Sequence, residues 1–301
     1  MTESKWNWYD FDKLKSSDDL NEYFSDKSYH HSNYYHYTNL KGIEGIIGSK
    51  CFFVSQVEAF NDTVDTEHFE NQKSSFVLCF ATGVHENLPM WYMYSGVDGK
   101  GGRLSFTKDS VRKIVEQSEY ILCEKGSGKR ICVLTEDDYE KSFEDVLYYS
   151  QENKSKNVVL RYNNMMNKFI DTDVFKEYQS AHPYVIKDNV WFYEKETRLV
   201  IKLKKHIIDK MNPKKDYRIE IHFSKIPRLY YKVTLAPEWI DINSLKKEMF
   251  PNICSLLTKK DAVSLSEFSG KIHMKLCSGC TYNKCSNCDE TNCSKRKELK
   301  K

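Results

Sequence analysis

The sequence has no long hydrophobic run. No segment approaches the roughly 18 consecutive apolar residues of a membrane-spanning helix. Residues 1–12 are polar and aromatic rather than a basic stretch followed by an apolar one. We therefore expect a cytoplasmic protein with no membrane partner. At 301 residues, of which 40% are hydrophobic and 14% aromatic, the chain has enough apolar material for a sizeable core.

The sequence also lacks the short motifs that mark several common enzyme classes. It has no GxxxxGK[ST] phosphate loop, no GxSxG nucleophile elbow and no HExxH zinc motif. Its most glycine-rich piece, GVDGKGG at residues 96–102, precedes an expected strand, whereas a dinucleotide-binding fingerprint follows one. Nucleotide binding through a standard loop is therefore not expected.

The chain carries little net charge. Its 46 Lys and Arg residues exceed its 43 Asp and Glu residues by three. Residues 277–301 alone hold six Lys or Arg against three Asp or Glu, which is also an excess of three. The body is therefore neutral, and overall charge favours nucleic-acid contact at the basic tail or at the local run 202–215. A solvated surface is the alternative for both. The tail's closing basic residues are Lys295, Arg296, Lys297, Lys300 and Lys301.

Half of the ten cysteines are concentrated in that tail, with the spacing C-x2-C-x4-C-x2-C-x4-C. They are Cys277, Cys280, Cys285, Cys288 and Cys293. Two C-x2-C pairs supply the four soft ligands of a tetrahedral zinc site, and no proline follows the last cysteine as in an iron–sulfur motif. The sequence therefore predicts a zinc-binding tail. Which four cysteines bind stays open, and His273 can replace one. The other five cysteines are interpreted as small buried apolar residues.

The apolar pattern along the rest of the chain mixes strands and helices. Strands are predicted at residues 34–37, 51–54, 76–81, 103–106, 190–193, 198–202, 218–223 and 229–235. Helical spacing predicts helices after Asn39, at 109–117 and 243–250, and long helices between residues 136 and 180. Residues 88–94 are expected to form an aromatic-rich turn or a short helix. Because strands and helices do not alternate strictly, the expected fold class is α+β with a mixed or antiparallel sheet and surrounding helices.

This organisation predicts three segments. Residues 1–32 form an N-terminal arm with a short helix that docks on the body. Residues 33–260 form the α+β body. Residues 261–301 contain a linker, the cysteine-rich metal-binding segment and the basic tail.

The body carries an ordered set of motifs. They are YYHYTNLKGIEGII at 34–47, CFFVSQVEAFND at 51–62, FVLCFA at 76–81, MWYMYSGVDGKGGRLSF at 90–106, YEKETRLV at 193–200 and RLYYKVTLAPEWIDINSLKKEM at 228–249. In this order they resemble a largely uncharacterised bacterial family, catalogued as domain of unknown function 2971, over roughly residues 34–258. One departure is Thr63, where the family more usually has proline after FND.

The order of elements is also similar to that of ADP-ribosyltransferases with a His-Tyr-Glu constellation, which implies a split-sheet fold and NAD as substrate. In that group a first-strand His-x-Thr contacts the adenosine-side ribose, and a later glutamate bonds the nicotinamide ribose. The resemblance assigns His36 and Thr38 to the first role and Glu196 to the last. Glu194 is the reserve, and strand alternation puts Arg198 on the same face.

An aromatic residue stacks on nicotinamide in that group, and here three candidates stay open: Trp91, Tyr94 and Phe53. Cleavage of the nicotinamide–ribose bond develops positive charge on the ribose, which a carboxylate stabilises in a dry, aromatic-walled pocket. We therefore expect His36 and Glu196 to converge in one pocket lined by these aromatic residues.

Simpler explanations exist for the same residues. His36 can be a half-buried strand histidine, and Glu194, Glu196 and Arg198 can form a surface ion-pair ladder. Two functions of different classes therefore stay open. One is an NAD-using ADP-ribosyltransferase or NAD glycohydrolase, such as a toxin or phage-defence effector. The other is a non-catalytic scaffold that binds nucleic acid or protein and carries a zinc-binding tail.

Overall fold

The computed structural model describes residues 13–25, 29–57, 72–83, 85–96, 99–151, 157–162, 168–259 and 261–271. The helices in these residues are α1 (Ser17–Ser25), α2 (Leu40–Ser49), α3 (Leu88–Tyr94), α4 (Lys108–Gln117), α5 (Thr172–Ala181), α6 (Lys205–Ile208) and α7 (Pro251–Leu256). Short 3-10 helices cover Gln72–Ser74, Pro183–Val185, Asn189–Glu194 and Ile242–Ser244.

The strands follow the same chain order. They are β1 (Asn33–Thr38), β2 (Cys51–Ser55), β3 (Ser75–Ala81), β4 (Gly102–Thr107), β5 (Glu119–Glu124), β6 (Arg130–Leu134), β7 (Tyr139–Asp145), β8 (Leu147–Gln151), β9 (Asn157–Tyr162), β10 (Lys168–Asp171), β11 (Ile186–Asp188), β12 (Glu196–Leu203), β13 (Tyr217–His222), β14 (Tyr231–Leu235) and β15 (Val263–Leu265). The expected α+β fold class is confirmed.

The large sheet has the strand order β15-β14-β4-β1-β3-β12-β7. Its neighbours are antiparallel except β14 and β15, which are parallel. The central strand β3 is a nearly continuous apolar run, and both β3 and β12 are buried along most of their length, so both faces of this sheet are covered. We call the face that carries Tyr34, Phe80 and Phe106 the inner face, and the opposite face the outer face.

The second sheet, with the order β2-β13-β5-β6, packs on the inner face. Phe52 of β2 lies 5.9 Å from Phe80 and 5.7 Å from Phe106 between ring centroids. Such aromatic pairs contribute about 0.5–1.5 kcal/mol each beyond the area they bury. The space between the two sheets is therefore a closely packed aromatic core.

The third sheet, with the order β10-β9-β8-β11, forms a separate core with α1 and α5. Phe24 of α1 lies 5.8 Å from Tyr178 of α5 between ring centroids, and Leu20 and Tyr23 are fully buried in the same cluster. Strand β11 pairs in parallel with β8 and leads into the 3-10 helix before β12. The third sheet thereby places residues 186–194 beside the large sheet.

Helix α2 follows β1 directly, as predicted. The side chain of Asn39 caps it by accepting from the backbone N of Gly42 over 2.8 Å. The helix ends at Lys50, whose φ of 53° is left-handed. Its buried residues are Leu40, Ile43, Ile46 and Ile47, which are the positions that the helical spacing predicts.

Three predicted elements are wrong. Between residues 136 and 180 the described chain forms β7 to β10, and α5 is its one α-helix. The apolar residues of these short strands, taken over one long window, imitate helical spacing. Residues 243–250 do not form a helix, because α7 begins at Pro251. The strand expected at 190–193 is a 3-10 helix. In the described residues no helix is long and apolar enough to cross a membrane.

Candidate functional site

The candidate site begins at a sharp turn that leads into β12. The 3-10 helix Asn189–Glu194 ends at Lys195, whose φ of 45° is left-handed, and β12 begins at Glu196. The backbone N and Oγ1 of Thr82 each donate to the Lys195 carbonyl oxygen over 2.8 Å. A left-handed lysine costs about 1 kcal/mol or more, so the surrounding contacts hold a strained turn at this point.

Four buried charged side chains meet beside the turn. We call Lys187, Glu194, Glu196 and Arg198 the charge cluster. Lys187 Nζ lies 2.7 Å from Glu194 Oε2 and 3.7 Å from Glu196 Oε2. The Arg198 guanidinium donates to Glu196 Oε2 over 3.0 Å and to the Tyr184 carbonyl oxygen over 2.8 Å. Two cations balance two anions, which permits their burial.

The cluster separates the pKa values of its two carboxyl groups. Burial, together with repulsion from Glu196, raises the pKa of Glu194 to about 7. Burial opposes ionisation of Glu196 as well, but the Arg198 and Lys187 charges outweigh it and lower the pKa of Glu196 to about 2. At neutral pH Glu196 is ionised while Glu194 exchanges a proton readily. This separation is typical of acid–base pairs in enzymes.

Tyr94 connects the charge cluster to the surface. It lies at the end of α3, a helix that Asn87 caps by accepting from Met90 N. The Tyr94 hydroxyl donates to Glu194 Oε1 over 3.4 Å, and the residue is 39% exposed, whereas Glu194 is 2% exposed. Tyr94 is therefore a partly exposed residue in direct contact with the buried cluster.

A second polar group lies next to α3. Arg103 of β4 places its guanidinium 4.4 Å from the ring centroid of Tyr35 and donates to the Tyr37 hydroxyl over 3.2 Å. Glu86 accepts from the Trp91 indole nitrogen over 3.0 Å and lies 3.6 Å from Arg103. The buried Nε of Arg103 has no hydrogen-bond partner among the described residues. It is therefore a donor that an anionic ligand can use.

Strand register places both polar groups on the outer face of the large sheet. Tyr35, Ala81 and Glu196 are paired across β1, β3 and β12, and residues paired in this way point to the same face. Arg103 pairs with Tyr37, two residues after Tyr35, and so shares that face. The outer face therefore carries the charge cluster and the Arg103 group together.

His36 belongs to the inner core instead. Its ring lies 5.3 Å from that of Phe52 between centroids, and its Nδ1 lies 3.1 Å from the Cys79 carbonyl oxygen. Burial lowers the pKa of His36, which favours the neutral ring. The prediction that His36 and Glu196 converge in one pocket is wrong, because neighbouring positions of β1 face opposite sides of the sheet. Thr38, two residues later, shares the face of His36.

The three candidate aromatic residues occupy three different environments. Tyr94 is the one of the three that contacts the charge cluster. Trp91 is fully buried, with the Arg103 guanidinium 6.0 Å from its ring centroid. Phe53 lies on the second sheet, is 47% exposed and has the Arg218 guanidinium 4.7 Å from its ring centroid. The expected single pocket lined by all these aromatic residues is therefore wrong.

The structure also corrects the explanation of the motif YEKETRLV, at residues 193–200, as a surface ion-pair ladder. Glu194 is not on the strand, and Glu194, Glu196 and Arg198 are buried rather than arranged as a surface ladder. Sequence reasoning missed Lys187 and Arg103. The available signals were a lysine inside the otherwise apolar and aromatic stretch YVIKDNVWF and an arginine inside the matched motif that ends in RLSF.

The predicted metal ligands lie outside the described residues. These are Cys277, Cys280, Cys285, Cys288 and Cys293, together with His273 as the alternative ligand. The basic tail and the FND turn at 60–62 also lie outside them. The zinc-binding tail therefore stays a prediction.

One comparison with known proteins finds a match. A family model described as "Protein of unknown function (DUF2971)" matches residues 90–199, a segment that contains Tyr94, Arg103 and the whole charge cluster. No curated protein and no solved structure matches the chain, and the similarity to ADP-ribosyltransferases is not confirmed. Residues 90–199 are therefore similar to this family of unknown function, which supports the expected resemblance over that part of its span.

Proposed function

We propose that this protein is an enzyme that cleaves the nicotinamide–ribose bond of NAD or a related nucleotide, as an ADP-ribosyltransferase or an NAD glycohydrolase, and that the charge cluster is its catalytic centre. The observation that carries the proposal is the buried pair of Glu194 and Glu196, held in two protonation states behind the partly exposed Tyr94. Every member of this set lies in the segment matched by the family model.

Glu196 stabilises the reacting ribose in this proposal. When the bond between ribose C1′ and nicotinamide nitrogen breaks, both electrons leave with the neutral nicotinamide and positive charge develops on the ribose. A fixed carboxylate in a site that excludes water stabilises this charge strongly. Arg198 and Lys187 keep Glu196 ionised and both contact the same oxygen, Oε2, so they also fix the orientation of the carboxylate.

Glu194 accepts the proton of the incoming nucleophile. As water or an acceptor hydroxyl forms its bond to ribose C1′, its proton passes to the Glu194 carboxylate. A general base works best when its pKa lies near the working pH, and the pKa of Glu194 is about 7. The Tyr94 hydroxyl, 3.4 Å from Glu194 Oε1, helps to orient this carboxyl group.

Arg103 binds the pyrophosphate in this proposal. Its buried Nε lacks a partner among the described residues, and a guanidinium suits a phosphate better than any other side chain. Strand β4 lies three strand spacings from β12, which is about 14 Å between backbones. An extended dinucleotide spans that distance with its nicotinamide end at the charge cluster.

The fold supports the proposal in part and changes one role. Two sheets pack face to face and α2 follows β1 directly, as the resemblance to ADP-ribosyltransferases implies. His36 and Thr38, however, point to the inner face and take no part in binding NAD here. The adenosine end of the substrate is held by other groups.

Nicotinamide release from NAD tests the proposal. We expect the wild-type chain to release nicotinamide, alone or with an acceptor, and Glu196→Gln to lose about 10²-fold in rate. The matched control is Glu140→Gln, an exposed carboxylate on the neighbouring strand β7, which should keep the wild-type rate. Wild-type protein that neither binds NAD nor releases nicotinamide would contradict the proposal.

A second function, which concerns the tail, rests on the cysteine spacing and on the excess of three positive charges in residues 277–301. We propose that this tail binds zinc and contacts nucleic acid or protein. Thiolate ligation supplies on the order of 10 kcal/mol, which folds a short polar segment.

Deletion of residues 270–301 should remove about one zinc per chain by elemental analysis and abolish salt-sensitive binding of single-stranded RNA. Unchanged zinc content after deletion would contradict the metal site, and unchanged RNA affinity would contradict the tail as contact surface.

A further inference from the structure

The outward side of the second sheet brings together three metal-binding side chains from two strands. Cys51 of β2 is paired with His222 of β13. Glu220 lies two residues before His222 on β13. Paired residues and residues two apart share one face, so all of these side chains lie on the same side of the sheet.

The potential ligand atoms are already close together. The Cys51 Sγ, a Glu220 carboxylate oxygen and a His222 ring nitrogen all lie within 4.8 Å of one another. His222 Nε2 is 3.1 Å from Glu220 Oε2. In a tetrahedral zinc site the ligand atoms are about 3.3–3.8 Å apart, so side-chain rotation without strand movement brings these atoms into range.

We propose that Cys51, Glu220 and His222 bind one divalent transition-metal ion, with zinc as the best fit. Thiolate and imidazole ligands select zinc over magnesium or calcium, and three protein ligands leave the fourth position of a tetrahedral site to water.

Local charge fits such an ion. One thiolate and the Glu220 carboxylate carry two negative charges, which one divalent ion neutralises. Arg218 Nε donates to Glu220 Oε1 over 2.9 Å, while His222 contacts Oε2. Arg218 can therefore stay in place as the outer partner that orients the carboxylate while Oε2 turns to the metal.

The site also has an entry path and a rigid base. The side chains of His222 and Glu220 are 29% and 14% exposed, so an ion can enter from solvent, while Cys51 is buried on the adjacent strand β2. No sequence motif indicates this site, because its ligands are spread over residues 51–222 and meet through strand pairing alone. The sequence-based interpretation of Cys51 as a small buried apolar residue therefore omits the polar neighbours that the fold supplies.

Another group, His30, His31 and Asp145, is also close enough to hold an ion. There the Asp145 carboxylate already accepts from the Thr197 hydroxyl and lies 2.6 Å from His31 Nε2. Its hydrogen bonds explain the arrangement without a metal. The group of the second sheet differs because the buried Cys51 thiol adds a soft ligand, which the group of His30, His31 and Asp145 lacks.

Cobalt binding to the full-length chain tests the proposal, with the five tail cysteines changed to serine so that the tail contributes no thiolate. We expect this protein to bind about one Co²⁺ per chain, with the absorption bands of thiolate-bound tetrahedral cobalt. His222→Ala and Glu220→Gln change partly exposed positions and should keep the fold, as circular dichroism can check. Each should weaken the affinity by at least about 10–100-fold.

The matched control is Cys132→Ser, which removes a cysteine from β6 of the same sheet but outside the cluster. It should bind Co²⁺ as its parent does, whereas Cys51→Ser should lose the thiolate bands. The proposal is overturned if the parent protein binds no Co²⁺, or if folded His222→Ala binds it with the affinity of the parent. Neither result depends on NAD cleavage, so this site and the charge cluster are tested separately.

Discussion

The two faces of the large sheet are built from the same strands but have opposite chemistry. The inner face presents His36 among aromatic rings such as Phe52 and Phe80. The outer face presents Glu196 and Arg198 among other buried charges. Apolar contacts on the inner face stabilise the fold, whereas burial of four charges contributes little net stability. The inner face therefore contributes more to folding, whereas the outer face carries the candidate site.

The inner face should show the largest effect on stability. Phe80→Ala removes a ring that is 1% exposed and lies against three other phenylalanines, so it should lower the free energy of unfolding by about 3–5 kcal/mol. Urea denaturation measures this change. The control is Phe53→Ala, which truncates an exposed ring on the second sheet and should cost about 1 kcal/mol or less. Equal losses in the two variants would contradict the packing assigned to the inner face.

The outer face should show the largest effect on activity. Glu196→Gln should lower the rate of nicotinamide release about 10²-fold per folded molecule. It should also cost about 3 kcal/mol in stability, because Arg198 and Lys187 lose a buried countercharge. Rates must therefore be normalised to the folded fraction, measured by circular dichroism. If Glu196→Gln were less stable but kept the wild-type rate per folded molecule, the charge cluster would have a structural role and not a catalytic one.

The pH dependence of stability should reveal Glu194. Its pKa is raised from 4.5 to about 7, so between these pH values the folded protein binds more protons at this site than the unfolded chain does. The free energy of unfolding contributed by this group is therefore highest below pH 4.5 and falls as pH rises towards 7. Glu194→Gln should remove that fall, and Glu140→Gln should retain it. If the free energy of unfolding depended on pH in the same way in the wild type and in Glu194→Gln across this range, the raised pKa of Glu194 would be ruled out.

Tyr94 should have the smallest effect. Its hydroxyl contacts Glu194 over 3.4 Å, a long hydrogen bond, so Tyr94→Phe should lower the rate about three- to tenfold, equivalent to about 1 kcal/mol. The control is Tyr92→Phe, on the same helix and 50% exposed. If the two variants lost the same activity, Tyr94 would have no specific role at the charge cluster.

The sequence predicted local elements where apolar spacing was unambiguous. Helix α2 follows from Leu40, Ile43, Ile46 and Ile47 together with the Asn39 cap, and β3 follows from the run SFVLCFA. The prediction failed over the short strands β7 to β10, because a long window of such strands imitates helical spacing.

The site was predicted in part. Glu194, Glu196, Arg198 and Tyr94 were chosen from the sequence and meet in the structure. The role of His36 could not be judged from the sequence, because strand register decides which residues of two strands share a face. Here Tyr35, not His36, shares the face of Ala81 and Glu196. Lys187 arrives from the third sheet and has no motif of its own.

The most direct test of the account compares one residue from each face in a single assay. Nicotinamide release from NAD is measured for His36→Gln and Glu196→Gln, with each rate normalised to folded protein. Glutamine at position 36 can still donate to the Cys79 carbonyl oxygen that now lies beside His36 Nδ1. We predict that His36→Gln stays within about threefold of wild type while Glu196→Gln loses about 10²-fold. A loss in His36→Gln as large as that in Glu196→Gln would contradict the assignment of the site to the outer face.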